Sequence, residues 1–114
     1  MVWPFSGLAS RAFETVNAEE AERLREAGAQ VVDVRETVEW RRGHIPGARH
    51  IPVRAIGQRG PAELDAGKAV VLMCASGHRS TVAARTLTKL GFAKVYEVHG
   101  GMIAWRRKGL PVET

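Results

Sequence analysis

The feature that most constrains this chain is the run Lys68-Ala69-Val70-Val71-Leu72-Met73-Cys74. Beyond its first residue it is apolar throughout. A strand buried on both faces of a parallel sheet needs that pattern. Such a strand must be covered on both sides, so the rest of the chain has to supply helices.

The rest of the chain reads that way. Ala18 to Ala27 is expected to be a helix, with Asn17 as its cap and Glu20 three residues later completing a capping box. Ala18, Ala21 and Leu24 share one face, and Gly28 ends the helix. Gln30-Val31-Val32-Asp33-Val34 is a second buried strand. Glu36 to Arg42 is expected to be a short helix. Gly43 to Ala48 must be a loop, because Gly and Pro punctuate it twice. Arg49 to Val53 is expected to be a brief strand. Arg54 to Ala66 is read as irregular, with one helical turn near Ala62 to Leu64. Arg79 to Leu90 is a helix with Val82, Leu87 and Leu90 among its apolar positions, and Gly91 ends it. Ala93 to Val98 is a strand, and Met102 to Lys108 a final helix closed by Gly109 and Pro111. Strands alternating with helices imply parallel βαβ units. The expected fold class is α/β: a three-layer domain with a mostly parallel central sheet and helices on both faces.

One domain fits the 114 residues. Residues 14–114 are assigned to it. Residues 1–13 are read as an apolar N-terminal extension, with Trp3 and Phe5 expected to fold back on the domain or stay partly disordered. That opening lacks a basic start and is broken by Pro4 and Gly7, so a secretory signal is not expected. No apolar run approaches the ~20 residues of a membrane span. The net charge is +5, but the cations are scattered in pairs such as Arg41-Arg42 and Arg106-Arg107. Trp3, Trp40 and Trp105 do not interleave with basic runs, so no nucleic-acid partner is expected. The single cysteine excludes an internal disulfide and a cysteine-rich metal site.

The chemistry concentrates where the apolar strand ends. Ligands in open α/β sheets bind at the carboxyl ends of strands, and Cys74 stands there. The short loop that follows feeds a helix N-terminus. Its backbone N–H groups are expected to curl inward and, with the helix dipole, favour an anion. A thiol at the base of such a cradle is expected to ionise below the free value of about 8.5, and the thiolate is the nucleophile. Cys74 is thus the candidate catalytic residue. Ala75, Ser76, Gly77, His78, Arg79 and Ser80 are the candidate substrate-binding residues, with Arg79 adding fixed charge at the rim. This reading needs amides aimed at the sulfur; a sulfur packed away from solvent with the amides aimed elsewhere would end it.

Four segments resemble the rhodanese family in order and spacing. Val32-Asp33-Val34-Arg35 resembles its first core strand with an Asp-x-Arg ending. Glu39 to Ala48 resembles its Glu-x-x-x-Gly-His-Ile-Pro-Gly-Ala segment. Cys74 to Ser80 resembles its active-site loop, Cys-x-x-Gly-x-Arg-Ser. Gly100-Gly101-Met102-Ile103-Ala104-Trp105 resembles its closing Gly-Gly-x-x-x-Trp. The resemblance runs from about Asn17 to Pro111.

The resemblance implies the rhodanese fold and a double displacement. Sulfane sulfur would pass from a small anionic donor such as thiosulfate to Cys74 as a persulfide. It would then pass to a thiol or cyanide acceptor, a thioredoxin-like protein among the candidates. No metal or organic cofactor is implied. Arg79 would help bind the donor. Asp33 and Arg35 would support the active-site loop from the neighbouring strand, although a purely structural ion pair fits them equally. His44 is expected to satisfy a buried hydrogen bond, and Trp105 to lie in the core.

Three alternatives follow. A relay module would use Cys74 to pass persulfide between proteins. A phosphatase or arsenate reductase disagrees with the loop length, because the related phosphatases use Cys-x5-Arg and this chain has Cys-x4-Arg. A catalytically silent interaction domain disagrees with the intact Cys74. A free reactive thiol suits a reducing compartment, so the cytoplasm is the expected location.

Overall fold

The computed structural model describes residues 13–114. All but Phe13 of the N-terminal extension lies outside them, and Phe13 packs against the core. Five strands form one parallel sheet: β1 (Glu14–Val16), β2 (Gln30–Asp33), β3 (Arg49–His50), β4 (Val70–Met73) and β5 (Val95–Val98), in the order β1-β5-β4-β2-β3. The apolar run supplies the central strand. β4 pairs with β2 on one side, Val32 opposite Leu72, and with β5 on the other, Leu72 opposite Glu97.

The side-chain period of a strand assigns the two faces. Val70, Leu72 and Cys74 point to one side, where they meet α3 (Ile56–Glu63) and α4 (His78–Lys89). Val71 and Met73 point to the other, where they meet α1 (Ala18–Glu26) and α5 (Gly101–Arg107). The short α2 (Thr37–Arg41) buries none of its residues. The three-layer α/β architecture expected from the sequence is the one found.

Several local expectations hold. Asn17 caps α1, and its capping box with Glu20 closes at 2.8 Å in both directions. Trp105 is buried, with Nε1 donating to the Pro111 carbonyl at 2.8 Å. His44 is buried, with Nδ1 2.9 Å from the Trp40 carbonyl oxygen.

Others need correction. Residues 54–66 are not irregular. A 3-10 turn over Val53–Ala55 runs into α3, and Pro61 lies inside that helix. Gly57, Gly60 and Pro61 all disfavour a helix locally, but packing prevails. Gly60 lies so close to α4 that a Cβ there would meet Leu87 Cδ2 at 2.8 Å. The edge strand β1 was not expected; two of its three residues are exposed, so it carries no apolar signature. On α4 the buried face is Ser80, Ala83, Ala84 and Leu87, while Val82 and Leu90 are exposed.

The last helix fixes the position of the chemistry. Met102 N–H donates to the Cys74 carbonyl at 2.8 Å and Ile103 N–H to the Ala75 carbonyl at 3.2 Å. The first turn of a helix has N–H groups without intrahelical partners, and these two are satisfied by the loop. Such close approach requires glycine. Gly101 has φ +51°, and a Cβ there would lie 2.3 Å from the Cys74 oxygen and 2.7 Å from the Ala75 carbonyl carbon. Gly101→Ala is therefore expected to destabilise the domain by about 2–4 kcal/mol, from overpacking against backbone together with a strained φ. Urea unfolding measures this, and a loss under about 0.5 kcal/mol would contradict the close approach.

Candidate active site

Cys74 follows the last residue of β4 and keeps that strand's alternation, so its side chain enters the α4 side of the sheet beneath the helix N-terminus. There Gly77 N–H donates to Sγ at 3.0 Å. Gly77 is the N-cap of α4 and has φ +110°, in the left-handed region where glycine is favoured. That turn is what brings its amide back onto the sulfur three residues earlier. Cys74 Sγ also donates to Ser80 Oγ at 3.5 Å. The residue is 1% exposed, so the sulfur is packed away from solvent, with the Gly77 amide aimed at it. Among the described residues Gly77 is the one amide that reaches Sγ; the expected convergence of several is not found.

Ser76 and His78 are exposed at the rim. Ala75 is tied to α5 through its carbonyl, as described. Arg79, on the first turn of α4, is tied elsewhere. Its Nη1 and Nη2 donate to the two carboxylate oxygens of Glu39 on α2 at 2.7 and 2.8 Å. Bidentate pairs of this kind are strong and directional. The Arg79 guanidinium holds the Glu39 carboxyl down at about 2, against an ordinary 4.5. Glu39 in turn raises Arg79 above its ordinary value. Glu39 lies in a recognised motif, yet the sequence offered no sign that its partner stands 40 positions away.

Asp33 and Arg35 do not brace the loop at 75–80 as expected. Asp33 is in register with Met73 and so faces the α1 and α5 side, opposite Cys74. Arg35 Nε and Nη2 donate to its carboxylate at 2.8–3.1 Å, and Nη2 also donates to the Gly43 carbonyl at 2.7 Å. This buried pair holds the segment that follows α2. No hydrogen bond of either side chain, among the described residues, reaches residues 75–80.

One further residue was not anticipated. Glu97 of β5 shares the parity of Val95 and points to the α4 side. It is buried, and its Oε1 accepts from Ser80 Oγ at 3.1 Å and Thr81 Oγ1 at 3.4 Å. A charged residue at an inward-facing position of Val95-Tyr96-Glu97-Val98 was the available signal.

Comparison with known proteins agrees with this arrangement. The rhodanese-like domain family matches residues 17–108. The thiosulfate sulfurtransferase GlpE of Pseudomonas aeruginosa is 40% identical over 98 residues, covering 85% of this chain and 87% of that protein. The putative sulfur carrier protein YrkF of Bacillus subtilis is 44% identical over 78 residues, 68% of this chain and 42% of that protein. The crystal structure of a rhodanese-related protein from Thermoplasma volcanium has a TM-score of 0.80 at 31% identity, covering 88% of this chain and 97% of that one. With a cysteine at the carboxyl end of its central strand and this agreement over most of its length, the chain belongs to the rhodanese family of sulfurtransferases.

Proposed function

We propose that this protein takes sulfane sulfur from a small anionic donor such as thiosulfate, carries it on Cys74 as a persulfide, and yields it to a cyanide or thiol acceptor. The observation that carries the reading is the Gly77 N–H on Cys74 Sγ at 3.0 Å. That donor favours an anionic sulfur over the thiol. In the first displacement the Cys74 thiolate attacks the outer sulfur of thiosulfate. A bond forms between the two sulfurs, the bond to the sulfonate sulfur breaks, and sulfite leaves with that electron pair. The persulfide keeps one negative charge. In the second displacement the acceptor attacks the terminal sulfur, and the Cys74 thiolate is the leaving group. The whole cycle needs only a nucleophile and its donors, so no metal or organic cofactor enters.

Arg79 draws the donor anion toward the loop, but with both terminal nitrogens engaged by Glu39 its field is partly cancelled. The site then suits the single charge of a persulfide better than the denser charge of a bound phosphate. A relay between proteins is the second reading. The sulfur carrier likeness supports it, as do two exposed apolar side chains on the helices beside the loop, Val38 on α2 and Ile103 on α5. The acceptor is then a thiol-bearing protein, thioredoxin-like in chemistry, and the cytoplasm is the fitting compartment. For a membrane-spanning role the described residues offer no helix long and apolar enough.

Intact-protein mass spectrometry after addition of thiosulfate is expected to find one added sulfur atom, removed by cyanide. Cys74→Ser is expected to remain unloaded and inactive; turnover surviving in that variant would exclude the mechanism. Glu39→Gln tests the ion pair. Because the Glu39 carboxyl is lowered in the folded state, the pair stabilises fully above pH 4.5, and that gain is lost as pH falls toward about 2. Urea midpoints of parent and Glu39→Gln should therefore differ near neutrality and converge across that acidic window. A gap independent of pH would assign the stability difference to something other than this charge. The freed guanidinium should also lower the KM for thiosulfate about threefold in the variant.

A further inference from the structure

Glu97 is a charged side chain that the two displacements above leave without a role. It is 6% exposed, and no ion pair among the described residues includes it. Its partners are three hydroxyls: Ser80 and Thr81 on Oε1, and Thr15 on Oε2. Burying a carboxyl is costly when no cation accompanies it. Here that cost is borne one hydroxyl away from the nucleophilic sulfur.

The geometry turns on Ser80. Its hydroxyl carries one proton and faces three acceptors: the Gly77 carbonyl at 3.1 Å, Glu97 Oε1 at 3.1 Å and Cys74 Sγ at 3.5 Å. While Cys74 is a thiol, its S–H donates to Ser80 Oγ, and the hydroxyl proton serves Glu97 or Gly77. Once Sγ is a thiolate, it has no proton to give and needs donors instead. Gly77 N–H supplies one. Ser80 is the hydroxyl within reach to supply a second, and it must turn away from Glu97 to do so. Glu97 competes for the same proton.

We propose that Glu97 is a positioning residue acting through Ser80, holding the hydroxyl proton away from Cys74 Sγ so that the thiolate stays strongly nucleophilic toward the sulfur donor instead of being kept as a stabilised anion. The inference rests on the persulfide reading above. The negative charge of the carboxylate acts in the same direction on an anionic sulfur. Opposing it are the Gly77 amide and Arg79, the latter already compensated by Glu39. His78 is exposed at the rim, and Asp33 and Arg35 face the other side of the sheet.

Glu97→Gln keeps the side-chain shape but removes the carboxylate charge and one of its two accepting oxygens, which weakens the hold on the Ser80 proton and frees it for the sulfur. Thiolate absorbance, titrated in difference against Cys74→Ala, reads the sulfur without any donor substrate. Its midpoint is expected to move down by about one pH unit, loading by thiosulfate above both midpoints to slow about threefold, and discharge of the persulfide by cyanide to quicken, because a thiolate of lower pKa is the weaker nucleophile and the better leaving group. Glu97→Asn, whose shorter chain draws back from Ser80, is expected to shift the midpoint the same way. In a Ser80→Ala background the effect of Glu97→Gln is expected to shrink at least about threefold. An unmoved midpoint in both Glu97 variants, or a full shift that survives without Ser80, overturns the proposal. If thiosulfate fails to load Cys74, the persulfide reading falls, while the absorbance titration still decides whether Glu97 acts on the sulfur.

Discussion

The contact on which the site depends is between backbones. The first turn of α5 gives two N–H groups to the carbonyls of Cys74 and Ala75. With those carbonyls drawn outward, the loop that follows is oriented for Gly77 to return its amide to the sulfur. Sequence places the bonded residues 28 positions apart, and the parallel pairing of β4 with β5 brings them together. The closing Gly-Gly motif is thus a packing requirement of the active-site loop. Any side chain at Gly101 would occupy the space of the Cys74 carbonyl.

Charge around the sulfur is arranged in opposed pairs. Arg79 interacts electrostatically with Cys74, and Glu39 occupies both of its terminal nitrogens. Glu97 approaches from β5, screened by hydroxyls in place of a cation. Within that arrangement, the Gly77 N–H is the one amide among the described residues that reaches the sulfur.

How much of this was legible in the sequence follows from how local each signal was. β2, β4 and the capped α1 are announced by contiguous residues, and all three formed where expected. The loop from Cys74 to Ser80 is likewise contiguous, so its position at a strand end and a helix start was readable. α3 was not, because Gly57, Gly60 and Pro61 oppose a helix until Leu87 of α4 packs on it. β1 was not, because an exposed three-residue edge strand takes its order from β5. Of the two roles open for Asp33 and Arg35, parity decides for the structural ion pair over support of the loop at 75–80. One position of register decides which face of the sheet a side chain enters, and Asp33 enters the face away from Cys74. Glu97 was overlooked by the same arithmetic, since it lies on the Cys74 side.

Loop length gains a physical meaning from these contacts. Between Cys74 and the start of α4 the chain has three residues, and the last of them, Gly77, must adopt a left-handed φ to close the turn. So tight a turn leaves one amide on the sulfur, and the hydroxyl of Ser80 as the second group within reach. A tetrahedral oxyanion presents several acceptor oxygens and would call for a ring of donors. A terminal sulfur presents one atom of low charge density. With Arg79 already engaged by Glu39, the donors at this loop match the smaller demand.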